Sequence, residues 1–196
     1  QRSRVLGVVL PTLLTPTFAE CLQGIAQAAV AGGYAIIPVT TGYRLDEEER
    51  AVHMLLAGNV DGLILVVSNP STSKALERLR AQRVPYVLAY NRHPAHPCVT
   101  VDNEAAVADA VARLVLLGHR RIAMVSGTLA ASDRAQQRYR GYQKGMADAG
   151  LKPQPLVEVP FVESAVDRLA RLLQLRSRPS ALVCSNDLLA LSLIHI

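Results

Sequence analysis

One pattern constrains this chain more than any other. A short, continuous apolar run is followed by a turn and then by a stretch whose apolar residues recur every three or four positions, and the whole unit repeats. Val5-Leu6-Gly7-Val8-Val9-Leu10 is closed by Pro11, and Phe18, Leu22, Ile25 and Ala29 follow at helical spacing before Gly32-Gly33. The unit returns as Tyr34 to Val39 with a helix near Asp46 to Ala57, then as Asp61 to Val67 with a helix near Thr72 to Ala81, then as Val84 to Ala89. Apolar runs that are continuous rather than alternating belong to strands buried on both faces, so the pattern predicts a parallel sheet covered by helices on each side.

A second series starts near Asp102. It holds a helix to Leu117, a strand from Arg121 to Ser126, a helix near Gln136 to Ala149, a strand near Leu156 to Pro160, a helix from Glu163 and a strand from Ser180 to Cys184. The fold class is therefore α/β, with two Rossmann-like parallel-sheet lobes over 4–101 and 102–190. A chain of 196 residues, half of them hydrophobic, has enough apolar surface to build them.

Charge and cysteine usage add little. The 21 Lys and Arg against 16 Asp and Glu are scattered, without the block that a nucleic-acid groove needs. Cys21, Cys98 and Cys184 stand far apart in apolar stretches with no metal-ligand spacing, which predicts buried, reduced thiols and a cytoplasmic setting. Gln1-Arg2-Ser3-Arg4 leads straight into a strand with no signal-peptide core, and no apolar run reaches the ~18 residues of a membrane span.

In open parallel sheets ligands bind beyond the carboxyl ends of the strands, where loops converge and helix N-termini present unpaired N–H groups. The search thus narrows to Thr12–Phe18, Ser68–Thr72, Tyr90–His93, Gly127–Arg138, Phe161 and Ser185–Asp187. No Walker loop, Gly-x-Ser-x-Gly elbow or Gly-x-Gly-x-x-Gly fingerprint occurs there, and His53, His93, His96 and His119 show no metal-ligand spacing. The reading is a non-enzymatic binding protein with no cofactor and no metal.

Four segments, in this order, carry a family resemblance: Val101-Asp102-Asn103, Leu116-Leu117-Gly118-His119-Arg120-Arg121-Ile122-Ala123, Arg138-Tyr139-Arg140-Gly141-Tyr142, and Cys184-Ser185-Asn186-Asp187. With them the chain resembles the LacI/GalR family of bacterial transcription regulators across nearly its whole length. Their sensor domain shares the fold of periplasmic sugar-binding proteins, and the resemblance implies a ligand cleft between the lobes. Physics accounts for part of the second segment, since Gly118 can take the left-handed conformation that ends a helix while His119 and Arg120 place positive charge near its negative end.

The resemblance implies effector contacts at Thr17, Phe18, Ser68, Tyr90, Asn91, Arg138, Phe161 and Asp187. Phe18 reads equally as core at helical spacing, Ser68 as a strand-end turn, Tyr90-Asn91 as loop, and Asp187 as the cap of a helix starting at Leu188. Arg138 offers a planar fork for a carboxylate or vicinal hydroxyls, whereas Arg134 and Arg140 read as solvated. Asp102 and Asn103 fit capping and hinge geometry. The sequence departs from the family at Pro11-Thr12-Leu13-Leu14-Thr15-Pro16-Thr17-Phe18, where three consensus positions are threonine, and at Tyr90-Asn91-Arg92, which lacks the usual carboxylate. Tyr90 and Asn91 suit hydroxyls or an amide better than a cation, and the effector implied is a small polar metabolite, a sugar, sugar acid or similar.

The resemblance further implies a homodimer and operator DNA bound through a helix-turn-helix upstream of Gln1. A solute-binding protein of an uptake system uses the same cleft, and a signal peptide upstream would mark it. Residues 191–196, Leu-Ser-Leu-Ile-His-Ile, match the translation of a transposase adapter used in sequencing libraries. They are therefore read as non-native and as breaking the final helix, which leaves the second lobe C-terminally incomplete.

Overall fold

The computed structural model describes residues 2–159, 170, 174 and 178–194. The chain divides into two compact units, 1–101 and 102–196. In the first, strands β1 (Val5–Leu10), β2 (Ala35–Thr40), β3 (Gly62–Leu65), β4 (Tyr86–Ala89) and β5 (Cys98–Val99) form one parallel sheet in the order β2-β1-β3-β4-β5. The crossovers are helices α1 (Pro16–Ala31), α2 (Leu45–Ala57) and α3 (Lys74–Ala81).

The period of two along each strand sorts the side chains onto two faces. Val9, Leu63, Leu65 and Val67 pack with Ala51, Val52 and Leu55 of α2 and Leu76 and Leu79 of α3. Val8, Leu10 and Val66 pack on the opposite face with Phe18, Leu22 and Ile25 of α1. Gly7 lets α2 approach the sheet, because a Cβ there would lie 2.8 Å from a methyl of Leu55.

The second unit holds β6 (Ile122–Gly127), β7 (Val157–Val159) and β8 (Ala181–Cys184), parallel in the order β7-β6-β8. Among the described residues it carries the α-helices α4 (Asn103–Leu116), α5 (Asp133–Asp148) and α6 (Asp187–Leu193), and Ala170 is helical as well. Ile122 and Met124 of β6 face Val111 of α4 and Tyr142 and Met146 of α5, while Val125 faces Val159, Leu189 and Leu193. The α4 terminus closes on Gly118 at φ 91°, with Gly118 and His119 N–H groups donating to the carbonyls of Val115 and Leu114.

Several expectations need correction. α5 begins at Asp133 rather than near Gln136, because the Ser132 hydroxyl caps it by accepting the Ala135 N–H at 3.3 Å. None of the three cysteines is buried, and Cys98 is exposed because β5 is the two-residue edge of its sheet. α6 continues through Leu193, so residues 191–193 extend the helix instead of breaking it. The reason is spacing, since Leu193 follows Leu189 by one turn and shares its contact with Val125 and Val159. The helix expected from Glu163 lies outside the described residues.

Candidate functional site at the strand ends

In the first unit the carboxyl ends of β1, β3 and β4 gather most of the residues singled out above. Phe18 is buried in α1, and its ring meets that of Tyr90 edge to face at 5.7 Å and 75°. The Tyr90 hydroxyl donates to the carbonyl of Thr17 at 3.3 Å, and the Thr17 side chain is exposed. Burial first, then the hydrogen bond and charge of Cys21, push the Tyr90 phenol up to about 12, so it stays a neutral donor at physiological pH.

Tyr90 also sits in the left-handed region at φ 64°, which few non-glycine residues adopt. Its N–H donates to Val99 O at 2.8 Å and its carbonyl accepts the Thr100 hydroxyl at 2.7 Å, so the unusual backbone is held from both sides. Asn91 follows, fully buried: its Oδ1 accepts the Val67 N–H at 2.9 Å and its Nδ2 donates to Val67 O at 2.8 Å. The amide thus continues the sheet ladder between the ends of β3 and β4 where the backbone of β4 has turned away.

Ser68 is buried beside it. Its N–H and hydroxyl both donate to Glu48 Oε1, at 2.8 and 2.6 Å. Glu48 is itself only 2% exposed, although it sits among Asp46 and Glu47 in the acidic first turn of α2. That carboxylate was missed from sequence, and it fixes the Ser68 hydroxyl at the β3 end.

The second unit carries a longer polar chain. Arg138 donates from Nε to Asn103 Oδ1 at 2.9 Å and from Nη1 to Ser185 O at 2.6 Å, which fixes its fork at the end of β8. Asn103 Nδ2 donates to Gln137 Oε1 at 3.4 Å, Gln137 Nε2 donates to Asp133 Oδ2 at 3.1 Å, and Arg134 Nη1 donates to Asp133 Oδ1 at 2.9 Å. Arg134 is 5% exposed, not solvated as its charge suggested. It lies one helical turn from Arg138, so both arginines project from the inward face of α5. Arg140, off that face, is exposed and pairs with Glu104 at 3.1 Å.

The capping roles separate cleanly. Asp102 Oδ1 caps α4 by accepting the Ala105 N–H at 2.9 Å, while Asn103 is committed to Arg138 and Gln137. α6 is capped by Asn186, whose Oδ1 accepts the Leu189 N–H at 2.8 Å, and not by Asp187. Asp187 is the first helical residue, exposed, with Oδ1 accepting the Leu188 N–H at 3.0 Å. Phe161 lies outside the described residues. Among the described residues no group of three or more His, Cys, Asp and Glu side chains could hold a metal ion, and no helix is long and apolar enough to cross a membrane.

A pH-linked contact lies apart from these residues. Tyr86 hydroxyl and His96 Nδ1 are 2.6 Å apart, and burial, then the charges of His93 and Arg80, hold His96 below its ordinary value of 6.5. A histidine depressed on folding binds fewer protons folded than unfolded, so its contribution is complete above the ordinary value and is lost as pH falls through the folded value. The melting temperature should therefore drop more between about pH 7 and about pH 5 in the wild type than in His96→Gln. Parallel pH profiles for the two would remove the assignment.

Two parallel sheets flanked by helices, with polar side chains at the carboxyl strand ends, define a type I periplasmic-binding-protein-like fold. The family described as periplasmic binding proteins and sugar binding domain of the LacI family matches residues 3–195, and the chain belongs to it. It is 31% identical to catabolite control protein A of Priestia megaterium, over all of this chain and 60% of that protein. It is 29% identical to the HTH-type transcriptional regulator GntR of Escherichia coli (strain K12), over 96% of this chain and 57% of that protein. The chain therefore spans less than two thirds of these relatives. The solved structure of a LacI family transcriptional regulator from Silicibacter pomeroyi superposes with a TM-score of 0.85 at 25% identity, covering 97% of this chain and 73% of that one.

Proposed function

We propose that this chain is the effector-sensing part of a cytoplasmic, DNA-binding transcription repressor, and that its effector is a small polar metabolite of the sugar or sugar-acid class. The observation that carries the reading is Arg138. A guanidinium already fixed by Asn103 and Ser185 at a strand end loses little freedom when it takes a carboxylate or a pair of hydroxyls. Asp187, exposed at the start of α6, supplies the complementary acceptor. On the first unit Thr17, Phe18 and Tyr90 supply a hydroxyl and an apolar wall, and Ser68 and Asn91 hold the loop ends in place. The resemblance to the family also assigns an effector contact to Phe161.

Effector binding acts on transcription if its affinity differs between two states of a homodimer, so that each state spaces two DNA-reading segments differently. The transcription regulators among its relatives favour this reading over solute uptake. The codons upstream of Gln1 separate the two. A helix-turn-helix is expected there, and a secretory signal peptide would overturn the regulator reading in favour of a solute-binding protein.

A further inference from the structure

A pocket of about 130 Å³ opens on the first unit between α3 and the turn after β4, and the family reading makes no use of it. Ser71, Ser73, Glu77, Arg80, His93 and His96 supply its polar lining. The protonation pattern follows from the neighbours. Ala95 N–H can only donate, and it meets His93 Nδ1 at 3.2 Å, so the proton of neutral His93 sits on Nε2. The Tyr86 hydroxyl meets His96 Nδ1 at 2.6 Å, and where the hydroxyl donates, the proton of the neutral ring sits on Nε2 as well. The two rings lie 4.8 Å apart, and Arg80 forms no ion pair with any described residue.

With the Tyr86 hydroxyl donating, two imidazole Nε2–H groups, a guanidinium and two hydroxyls share one small pocket with the Glu77 carboxylate, the one side chain among them that can only accept. Glu77 repels an anion that carries no proton. It accepts a hydrogen bond from an anion that does. A phosphate group with a second pKa near ~6 retains a proton in part of its population at neutral pH, whereas sulfate and carboxylates do not. We propose that this pocket binds a protonated phosphate group, as free phosphate or a phosphate monoester, with Arg80, His93, His96 and Ser71 donating to its oxygens and Glu77 accepting its proton.

The test is imidazole ¹H–¹⁵N NMR of the full chain, following His93 and His96 during titration with inorganic phosphate and, separately, sodium sulfate, both at constant ionic strength. Saturable shifts of both histidines with phosphate are expected, with sulfate at least about tenfold weaker. Arg80→Gln should weaken phosphate about tenfold, the scale of one charge-assisted hydrogen bond. Glu77→Gln should abolish the preference over sulfate. Phenyl phosphate binding with the same shifts would assign the source as a monoester; its failure beside inorganic phosphate would assign the free ion. Unmoved histidines, or equal affinity for phosphate and sulfate in the wild type, would overturn the proposal. The readout is local to this pocket, so it is independent of the effector site.

Discussion

Replacing Gly141 by alanine is expected to destabilise the second unit by roughly 3 kcal/mol or more, at the upper end of what overpacking a core costs. An added Cβ would stand 2.3 Å from the carbonyl oxygen of Glu104, and that oxygen belongs to the backbone of α4, which cannot rotate aside as a side chain would. α4 and α5 would have to separate, and Val111, Tyr142 and Met146 pack across that same contact. One turn on, Gly145 repeats the constraint against Val111 at 2.8 Å and Ala108 O at 3.0 Å. The same change at Gly24, in α1 with nothing within 4 Å, should instead stabilise by about 0.5–1 kcal/mol, because alanine is the better helix former. Urea midpoints of the two variants should therefore move in opposite directions. A Gly141→Ala midpoint equal to wild type would show that the helices do not approach this closely.

Asn91→Ala is expected to cost the first unit roughly 3 kcal/mol, from two buried backbone groups of Val67 losing a partner at about 1–3 kcal/mol each. Asn91→Asp is the sharper variant. It keeps an acceptor for the Val67 N–H but replaces the donor to Val67 O with a carboxylate oxygen facing a carbonyl. It should be at least as damaging as alanine despite its closer shape. If Asp were tolerated and Ala were not, the residue would be filling space rather than pairing the backbone.

These two expectations mark where the sequence was legible and where it was not. The order of strands and helices followed from apolar runs and helical spacing, because burial on both faces of a parallel sheet writes itself into consecutive residues such as Val8-Val9-Leu10. The two-residue β5 left no such trace. At the site, residue type suggested chemistry but not commitment. Asn91 reads as a loop amide free for a ligand, and only the fold reveals that Val67 occupies one of its donors and one of its acceptors. Arg134 reads as solvated by charge alone, yet helix packing turns it inward, as it does Glu48. The i, i+4 relation of Arg134 to Arg138 was a signal in the sequence that could have been used for the first. For Glu48 the signal was helical spacing, since it stands three, four and seven residues before Ala51, Val52 and Leu55, the buried stripe of α2.

The most direct test of the account is ligand binding by the full-length protein. A thermal-shift screen of sugars, sugar acids, polyols and purines should find a ligand that raises the melting temperature, since a ligand bound only by the folded state stabilises it. Arg138→Ala and Asp187→Ala should each weaken that ligand by at least about tenfold while remaining folded. A ligand whose affinity is unchanged in both variants would contradict the assignment of the strand ends as the effector site.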